Sequence, residues 1–218
     1  MKVGTDGVLL GAWADFSKSD SILDIGAGSG LIAIMAAQRS NAFIDAVEID
    51  VQSYLQALGN VANSPWFNRI KIMHASFQKF ASESEAKYDH IVSNPPFFIN
   101  SLKSEKKEKN ISRHNDLLPF PELIKGLVKL LAENGKFSII LPVPEGADFI
   151  KKAINEFLFL NRITRIFPCP WKPASRLLME FSFIKTDVSE YNLTIELNER
   201  HEYSDEYKIL TKDFYLGF

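Results

Sequence analysis

The apolar residues of the chain follow two spacings that alternate from one end to the other. Short runs rich in apolar and β-branched residues, typical of buried strands, occupy positions 21–25, 42–49, 70–73, 88–93 and 136–141. Apolar residues at helical spacing fill the segments 31–38, 51–63 and 120–131. Strands that alternate with helices imply right-handed crossovers and a parallel sheet covered on both faces. The pattern therefore predicts a doubly wound α/β domain.

The last third of the chain departs from this alternation. The elements predicted there are a helix at 146–159, strands at 162–167, 177–184 and 193–197, and a short helix at 206–213. A proline-rich connector, Pro168-Cys169-Pro170-Trp171-Lys172-Pro173, joins the first two of these strands, so we expect them to form an antiparallel pair on one sheet edge. Upstream, Asn134-Gly135 is expected to end the helix that starts at Phe120.

Composition limits the class of protein. The 218 residues are 46% apolar and 24% charged, so residues 1–218 are expected to form one globular domain with a substantial core. The apolar stretches are too short to cross a bilayer, and the N-terminus lacks the layout of a secretory signal. Cys169 is the only cysteine, and four scattered histidines show no metal-ligand spacing. We expect a cytoplasmic protein without a metal, and no pattern indicates its oligomeric state.

The charge of the chain argues against a protein that coats nucleic acid. The net charge is -2, whereas phosphate binding depends on clustered lysine and arginine. Any RNA contact is therefore expected to be local. The best candidate is the segment 103–109, where four lysines stand beside two glutamates, with Arg113 beyond it. A solvated loop without a ligand is an equally good interpretation of this segment.

A glycine cluster follows the first predicted strand. Gly26, Gly28 and Gly30 have GxGxG spacing, and Leu31 occupies the position of the third glycine in the dinucleotide fingerprint, which disfavours NAD. Small residues at a helix N-terminus let the backbone pass close to a ligand. Asp24 at the strand end can hold a cationic amine or the amides of the turn itself. A tight turn with a purely structural role is the alternative.

A carboxylate ends the second predicted strand. Glu48 stands where doubly wound sheets bind a ribose diol, whose hydroxyl groups can donate hydrogen bonds to it. Asp50 offers another carboxylate, but an aspartate at such a position commonly caps the helix that follows. We therefore assign the ribose to Glu48.

The tetrad Asn94-Pro95-Pro96-Phe97 follows the fourth predicted strand. The first and fourth strands are neighbours in the usual doubly wound order, so Asn94 is expected beside the glycine cluster, at the edge where ligands bind. The Asn94 side-chain carbonyl and the Pro95 backbone carbonyl match the two hydrogens of a planar NH2 group. Phe97 offers a flat surface on which an extruded base can stack. In isolation, an asparagine that caps a turn and a phenylalanine in the core explain the tetrad equally well.

The motifs taken together resemble a known family. The segment 24–30, Glu48 and the tetrad resemble the class I S-adenosylmethionine-dependent amino-group methyltransferases. More specifically, the sequence is similar to the bacterial tRNA1(Val) adenine-37 N6-methyltransferases. This similarity lies in the segments 2–13, 93–98, 113–115, 118–120 and 210–216. This resemblance implies a Rossmann-like sheet, S-adenosyl-L-methionine as cofactor, and a methyl acceptor at N6 of an adenine in the anticodon loop of tRNA.

The resemblance also implies roles for individual residues. The implied catalytic residues are Asn94, Pro95, Pro96 and Phe97. The implied cofactor contacts are Thr5, Asp6, Asp24, Gly26, Ala27, Gly28, Gly30, Glu48, Ile49, Ser76, Phe77 and Asn94, with Thr5 and Asp6 near the methionine part and Ser76 and Phe77 near the adenine. The expected RNA phosphate contacts are Lys103, Lys106, Lys107, Lys109 and Arg113.

This sequence departs from the family pattern at two places. Many class I enzymes place aspartate where Ala75-Ser76 stands, so recognition of the donor adenine is expected to depend on a hydroxyl, backbone amides or Phe77. Family members also carry a segment before the motif that contains Met1, and a chain without it would lack part of the donor-site cover or substrate groove.

Three other functions remain compatible with parts of the sequence. The same tetrad serves enzymes that methylate the planar amide nitrogen of a protein glutamine, which makes them the closest alternative. A nonenzymatic RNA-binding module that kept the fold is a second alternative, and the intact tetrad counts against it. An NAD dehydrogenase is a distant third, because the third dinucleotide glycine is missing.

Overall fold

A computed structural model describes residues 4–96, 118–215 and 217 of the chain. Its strands are β1 (Ser21–Ile25), β2 (Phe43–Glu48), β3 (Ile70–His74), β4 (Tyr88–Ser93), β5 (Leu131–Pro142), β6 (Phe159–Phe167), β7 (Arg176–Ser182) and β8 (Ser189–Thr194). Its helices are α1 (Thr5–Trp13), α2 (Leu31–Arg39), α3 (Val51–Ala62), α4 (Phe77–Glu83), α5 (Phe120–Leu130), α6 (Val143–Ile154) and α7 (Asp205–Thr211), with a 3₁₀ turn at Phe67–Arg69. The predicted sites outside the described residues are Phe97, Lys103, Lys106, Lys107, Lys109 and Arg113.

The strands form one sheet in the order β3-β2-β1-β4-β5-β7-β6-β8. Strands β3, β2, β1, β4 and β5 are parallel, whereas β7 runs antiparallel to both β5 and β6. This arrangement confirms the predicted mostly parallel α/β sheet and the adjacency of the first and fourth strands. We call the edge at which the five parallel strands end the carboxyl edge.

The antiparallel pair does not form the edge of the sheet, because β8 pairs with the outer side of β6 in parallel. The predicted strand at 193–197 is therefore displaced toward the N-terminus. The first four residues of β8 are exposed and only Leu193 is buried, so the strand carries no continuous apolar run. Backbone hydrogen bonding to β6, which a hydrophobic pattern does not encode, sets its start.

Helix α5 ends at Leu130, and β5 begins with the next residue. The prediction that Asn134-Gly135 ends this helix was therefore wrong. Gly135 lies inside β5, where a Cβ would come within 2.8 Å of the Tyr88 carbonyl oxygen. The pairing of β4 with β5 shifts register between Tyr88 and His90. The glycine thus permits a close approach of two strand backbones.

Helix α6 ends earlier than the predicted boundary at residue 159. The Leu158 N–H donates to the Ala153 carbonyl at 3.1 Å, and Phe157 adopts a φ of 59°. A left-handed residue with this i to i+5 bond is a common helix ending, for which glycine is usually used. A phenylalanine in that position gave no sequence signal for the end of the helix.

Helix α1 was not predicted, because it has no polar face. Every residue from Gly7 to Trp13 is buried. A Cβ on Gly11 would come within 2.6 Å of the Met35 sulfur, so α1 packs closely on α2. The Arg39 guanidinium donates to the carbonyls of Gly11 and Ala14 at 2.7 and 2.6 Å. The helix is therefore fixed along one face of the sheet.

Two apolar cores lie on the two faces of the sheet. Helices α1, α2, α3 and α7 contribute to one core, and α4, α5 and α6 contribute to the other. The layered arrangement matches the predicted coverage of both faces. None of the helices in the described part of the chain has the length and apolar composition needed to cross a bilayer.

Candidate active site

The carboxyl ends of β1 and β4 carry the two motifs that the sequence analysis singled out. Ile25 pairs with Ser93 in the parallel register, and the Ser93 hydroxyl donates to the Ile25 carbonyl at 2.9 Å. This bond ties the end of β4 to the start of the glycine turn. Asn94 therefore leaves the sheet beside Gly26, as the predicted strand order requires.

A cavity of about 730 Å³ opens at this edge. The predicted site residues that line it are Thr5, Asp6, Gly26, Ala27, Gly28, Glu48, Ile49, Ser76, Phe77, Asn94, Pro95 and Pro96. The cavity also has wall residues that the sequence analysis did not select, including Gly7, Leu31, Ile32, Gln78 and Leu118. Two predicted cofactor contacts, Asp24 and Gly30, do not line the cavity. The structure thus brings most of the predicted donor and acceptor residues to one space.

The glycine turn has a backbone that only glycine adopts readily. Gly26, Gly28 and Gly30 have φ values of 71°, 58° and 79°. The N–H groups of Gly26 and Ala27 donate to the Val47 carbonyl at 2.9 and 3.1 Å, which anchors the turn to β2. A Cβ on Gly30 would lie 3.4 Å from the Ala57 Cβ, so this glycine faces α3. A side chain at these positions would strain the turn.

Glu48 is held by backbone amides from two directions. One carboxylate oxygen accepts from the Gly28 N–H at 2.7 Å, and the other accepts from the Asp50 N–H at 2.8 Å. The residue is only 7% exposed, yet it lines the cavity. Each carboxylate oxygen can accept a further hydrogen bond. The two amides therefore hold the carboxylate in a fixed orientation at the cavity wall, with capacity to accept further hydrogen bonds.

Asp50 has the capping role that the sequence analysis left open. Its side chain accepts from the Ser53 N–H at 2.8 Å at the start of α3. Hydrogen bonds from Ser53 lower the pKa of the Asp50 carboxyl, because they stabilise its charged form. Asp50 lies on the cavity wall as well, but its carboxylate is directed to the helix.

Asp24 is buried behind the glycine turn. It is 1% exposed, and one of its oxygens accepts from the Ala33 N–H at 3.1 Å in the first turn of α2. The other oxygen has no hydrogen-bond partner within the described structure. Burial, with a smaller contribution from the charge of Glu48, raises the pKa of Asp24 to about 7. Asp24 thus accepts from a backbone amide of α2 and not from an amide of the glycine turn, which was one of its two predicted partners.

The first turn of α1 lies against Asn94. A Cβ on Gly7 would be 3.7 Å from the Asn94 side-chain nitrogen and 3.2 Å from Leu31 Cδ2. An added Cβ would therefore crowd Leu31 and only touch Asn94. Asp6, the preceding residue, accepts a hydrogen bond at 2.8 Å from the Arg176 Nε. This ion pair joins the cavity wall to the start of β7.

Arg176 is a contributor that the sequence analysis missed. It follows the proline-rich connector, far from Asp6 in sequence, and no motif surrounds it. Only the antiparallel pairing of β7 with β5, which sets Arg176 opposite Pro142, brings it to the carboxyl edge. Long-range pairing of this kind has no local signal in the chain.

Ser76 and Phe77 lie on the cavity wall, just after the end of β3. The Ser76 hydroxyl accepts from the Lys79 N–H at 3.2 Å and caps α4. Phe77 is 5% exposed and packs against α5, where a Cβ on Gly126 would come within 2.4 Å of its ring. The short helix α4 therefore places a hydroxyl and an aromatic ring on the wall.

No cluster of three potential metal-binding side chains occurs within the described ranges.

Comparison with known proteins now defines the family. Residues 7–155 match the sequence profile of the methyltransferase small domain. The chain belongs to this family. It is 46% identical to the tRNA1(Val) (adenine(37)-N6)-methyltransferase of Parabacteroides distasonis, over 99% of this chain and 91% of that protein. It is 47% identical to the protein of the same name from Trichodesmium erythraeum, over 100% of this chain and 92% of that protein. These relatives place it in the tRNA1(Val) (adenine(37)-N6)-methyltransferase family.

Solved structures of methyltransferases share the fold. The crystal structure of a predicted O-methyltransferase from Agrobacterium tumefaciens superposes with a TM-score of 0.72 at 19% sequence identity, covering 95% of this chain and 96% of that chain. A glycopeptide N-methyltransferase in complex with S-adenosylmethionine superposes with a TM-score of 0.56 at 12% identity, covering 75% and 87% of the two chains. The fold of this methyltransferase is therefore that of class I enzymes.

Proposed function

We propose that this methyltransferase transfers the methyl group of S-adenosyl-L-methionine to N6 of adenine 37 in the anticodon loop of tRNA1(Val). The observation that carries the proposal is the meeting of Asn94 and Pro95 with Glu48 and the glycine turn around one cavity. Relatives that carry this activity in their names match nearly the whole chain. Membership in a class I methyltransferase family identifies the cofactor.

The residues around the cavity fit the chemical groups of the cofactor. Glu48 presents an oriented carboxylate to a ribose diol. Ile49 and Phe77 provide apolar surface for an adenine, with the Ser76 hydroxyl at the same wall. Thr5 and Asp6 provide polar groups at the other end. When bound, the cofactor supplies an electrophilic methyl group.

Asn94 and Pro95 are proposed to hold the acceptor nitrogen. The lone pair of an exocyclic adenine nitrogen is delocalised into the ring, so the nitrogen is a poor nucleophile. Two carbonyl acceptors that bind both of its hydrogens shift electron density back to nitrogen and orient it toward the methyl group. Positioning of the two reactants can supply about 7 to 11 kcal/mol of the barrier reduction. No metal or covalent intermediate is required for this step.

Two elements of the proposed substrate site come from the sequence alone. Phe97 is proposed to stack against the extruded adenine, which is cheap to extrude because it already lies in a single-stranded loop. Lys103, Lys106, Lys107, Lys109 and Arg113 are proposed to contact RNA phosphates. A salt dependence of tRNA binding is expected if they do, because each neutralised phosphate releases counterions.

The test compares three acceptors with the same labelled donor. They are a tRNA1(Val) transcript, the same transcript with guanine at position 37, and a protein with a methylatable glutamine. Label is expected in the first transcript only. Transfer to the protein with none to either tRNA would replace the proposal with glutamine methylation. Equal labelling of both transcripts would reject position 37 as the target.

A further inference from the structure

The loop between β6 and β7, residues 168–175, lies at the same edge of the sheet as the active-site cavity. Strand β7 is antiparallel to β5, and Arg176 pairs with Pro142 at the end of β5. The loop therefore leaves the sheet at the carboxyl edge. Neighbouring strands are about 4.8 Å apart, and Arg176 lies three residues further along the strand direction than Ser93, so the start of β7 is roughly 14 Å from the end of β4. The proline-rich connector thus lies at the same edge of the sheet as Asn94, although it is distant from Asn94 in sequence.

A direct bond joins this loop to the cavity wall. Arg176 directly follows the loop, and its guanidinium donates to the Asp6 carboxylate at 2.8 Å. Asp6 itself lines the cavity. A macromolecular substrate that places one group at Asn94 would therefore pass next to the loop.

Trp171 is presented to solvent by a loop that backbone hydrogen bonds and a buried cysteine hold in place. Its side chain is 63% exposed, whereas Cys169 is 6% exposed and anchors the loop in the protein. The Lys172 N–H donates to the Cys169 carbonyl at 3.2 Å, and the Ser175 N–H donates to the Ile166 carbonyl at 2.8 Å. Three prolines further restrict the backbone. Such a loop loses little conformational entropy when Trp171 contacts a ligand.

The position of Trp171 separates it from the other exposed aromatic residues of the described chain. Phe43 starts β2, Phe67 lies three residues before the start of β3, and Phe157 lies two residues before the start of β6. Each of these strands begins at the sheet edge opposite the cavity. Tyr191 lies within the outer strand β8. Trp171 alone among them is carried by a loop at the carboxyl edge.

The chemistry of the loop favours single-stranded nucleic acid as the partner. Trp171 provides the largest aromatic surface, on which any base can stack. Lys172 adds a positive charge beside it, and residues 168–175 contain no acidic side chain. An exposed aromatic ring with an adjacent cation is suited to a base and its phosphate.

We propose that Trp171 stacks on an unpaired base of the anticodon loop other than the target adenine, with Lys172 at the adjoining phosphate. The proposal rests on the proposed tRNA methyltransferase function and adds a second contact point for the same RNA. The first contact holds the reacting base at Asn94, and the second sets the position of the anticodon loop around that base. Trp171 is therefore a positioning residue.

The test measures tRNA binding and turnover for Trp171→Ala, Trp171→Phe and the control Phe43→Ala. Loss of one base stack is expected to raise the tRNA Kd and KM of Trp171→Ala by about 5- to 150-fold while kcat changes little. Trp171→Phe should recover most of the affinity, and Phe43→Ala, which removes an exposed aromatic residue from the opposite edge, should behave as the parent protein. The Kd of S-adenosylhomocysteine should be the same for all four proteins, which verifies that the variants fold.

Trp171 fluorescence gives an independent measurement in the full chain. Addition of an anticodon stem-loop RNA should quench emission, and Trp171→Phe should remove that quenching although Trp13 and Trp66 remain. An unchanged tRNA Kd in Trp171→Ala, or a parallel loss of S-adenosylhomocysteine binding, would overturn the inference. The inference would also be overturned if a glutamine-containing protein substrate bound tightly through Trp171 while RNA binding did not depend on Trp171. Failure of the parent protein to methylate any tRNA would instead reject the proposed function, because the fluorescence and Kd measurements do not require turnover.

Discussion

Replacement of Glu48 by glutamine is the most informative change to the donor side of the cavity. Both carboxylate oxygens accept backbone N–H groups, from Gly28 at 2.7 Å and from Asp50 at 2.8 Å. Glutamine has nearly the same shape but only one oxygen, so one of the two N–H groups would face an NH2 group and lose its acceptor. An unsatisfied buried donor costs about 1 to 3 kcal/mol, and we expect a loss of this size in the free energy of unfolding.

The same substitution should weaken cofactor binding. Hydrogen bonds to charged groups contribute about 1.5 to 3 kcal/mol, so the loss of the carboxylate should raise the Kd of S-adenosylhomocysteine about 10- to 150-fold. Calorimetric titration measures the Kd, and urea denaturation measures the stability. Glu83→Gln, a matched change of an exposed glutamate at the end of α4, is the control and should alter neither value. A Kd of Glu48→Gln within twofold of the parent value would refute the assigned role of this carboxylate.

Three further predictions concern the other side chains of the site. Asn94→Ala should lower kcat by about 10² to 10³, as expected for one lost preorganised hydrogen bond, with little change in cofactor Kd; an equal loss of affinity in titrations would make Asn94 a binding residue. Asp6→Asn and Arg176→Ala should each weaken cofactor binding, and a double-mutant cycle on stability should give a coupling of about 0.2 to 1 kcal/mol, because the pair is about one-third exposed; additive effects would contradict the pairing. The raised pKa of Asp24 means that the folded state binds more protons than the unfolded state between the ordinary pKa of 3.8 and about 7, so stability should fall as pH rises through this window; Asp24→Asn should flatten this profile in denaturation experiments, and an unchanged slope would contradict the burial argument.

The parallel half of the fold could be predicted because its signals are local. Strand β1 and strand β4 were predicted with the bounds that the structure has, since each is a short apolar run that ends at a turn motif. The strand order then followed from general rules for doubly wound sheets, and it placed Asn94 beside Gly26.

The parts that could not be predicted depend on contacts between distant segments. Helix α1 is buried on all sides from Gly7 to Trp13, so it shows no amphipathic period. Strand β8 has four exposed residues at its start and depends on pairing with β6. Arg176 reaches Asp6 only because β7 pairs with β5.

The sequence motifs predicted where the candidate site lies better than they predicted which contacts its side chains make. Glu48 and Asn94 line the same cavity, as their positions at the ends of β2 and β4, the two parallel strands that flank β1, indicated. Asp24 was selected as a cofactor contact, but its position behind the turn and its bond to Ala33 depend on how α2 packs. A motif therefore locates the strand end, whereas packing decides which of its side chains faces the ligand.

We propose that Asn94 and Pro95 direct a methyl group onto the exocyclic nitrogen of an adenine held at this cavity. Mass spectrometry of nucleosides from tRNA1(Val) that has been incubated with the protein and S-adenosylmethionine tests it most directly. We expect N6-methyladenosine in the fragment that contains position 37, at a level reduced by about 10² to 10³ with Asn94→Ala. Methylation at a ring nitrogen or at a ribose hydroxyl, or an undiminished N6-methyladenosine yield from Asn94→Ala at matched initial rates, would contradict it.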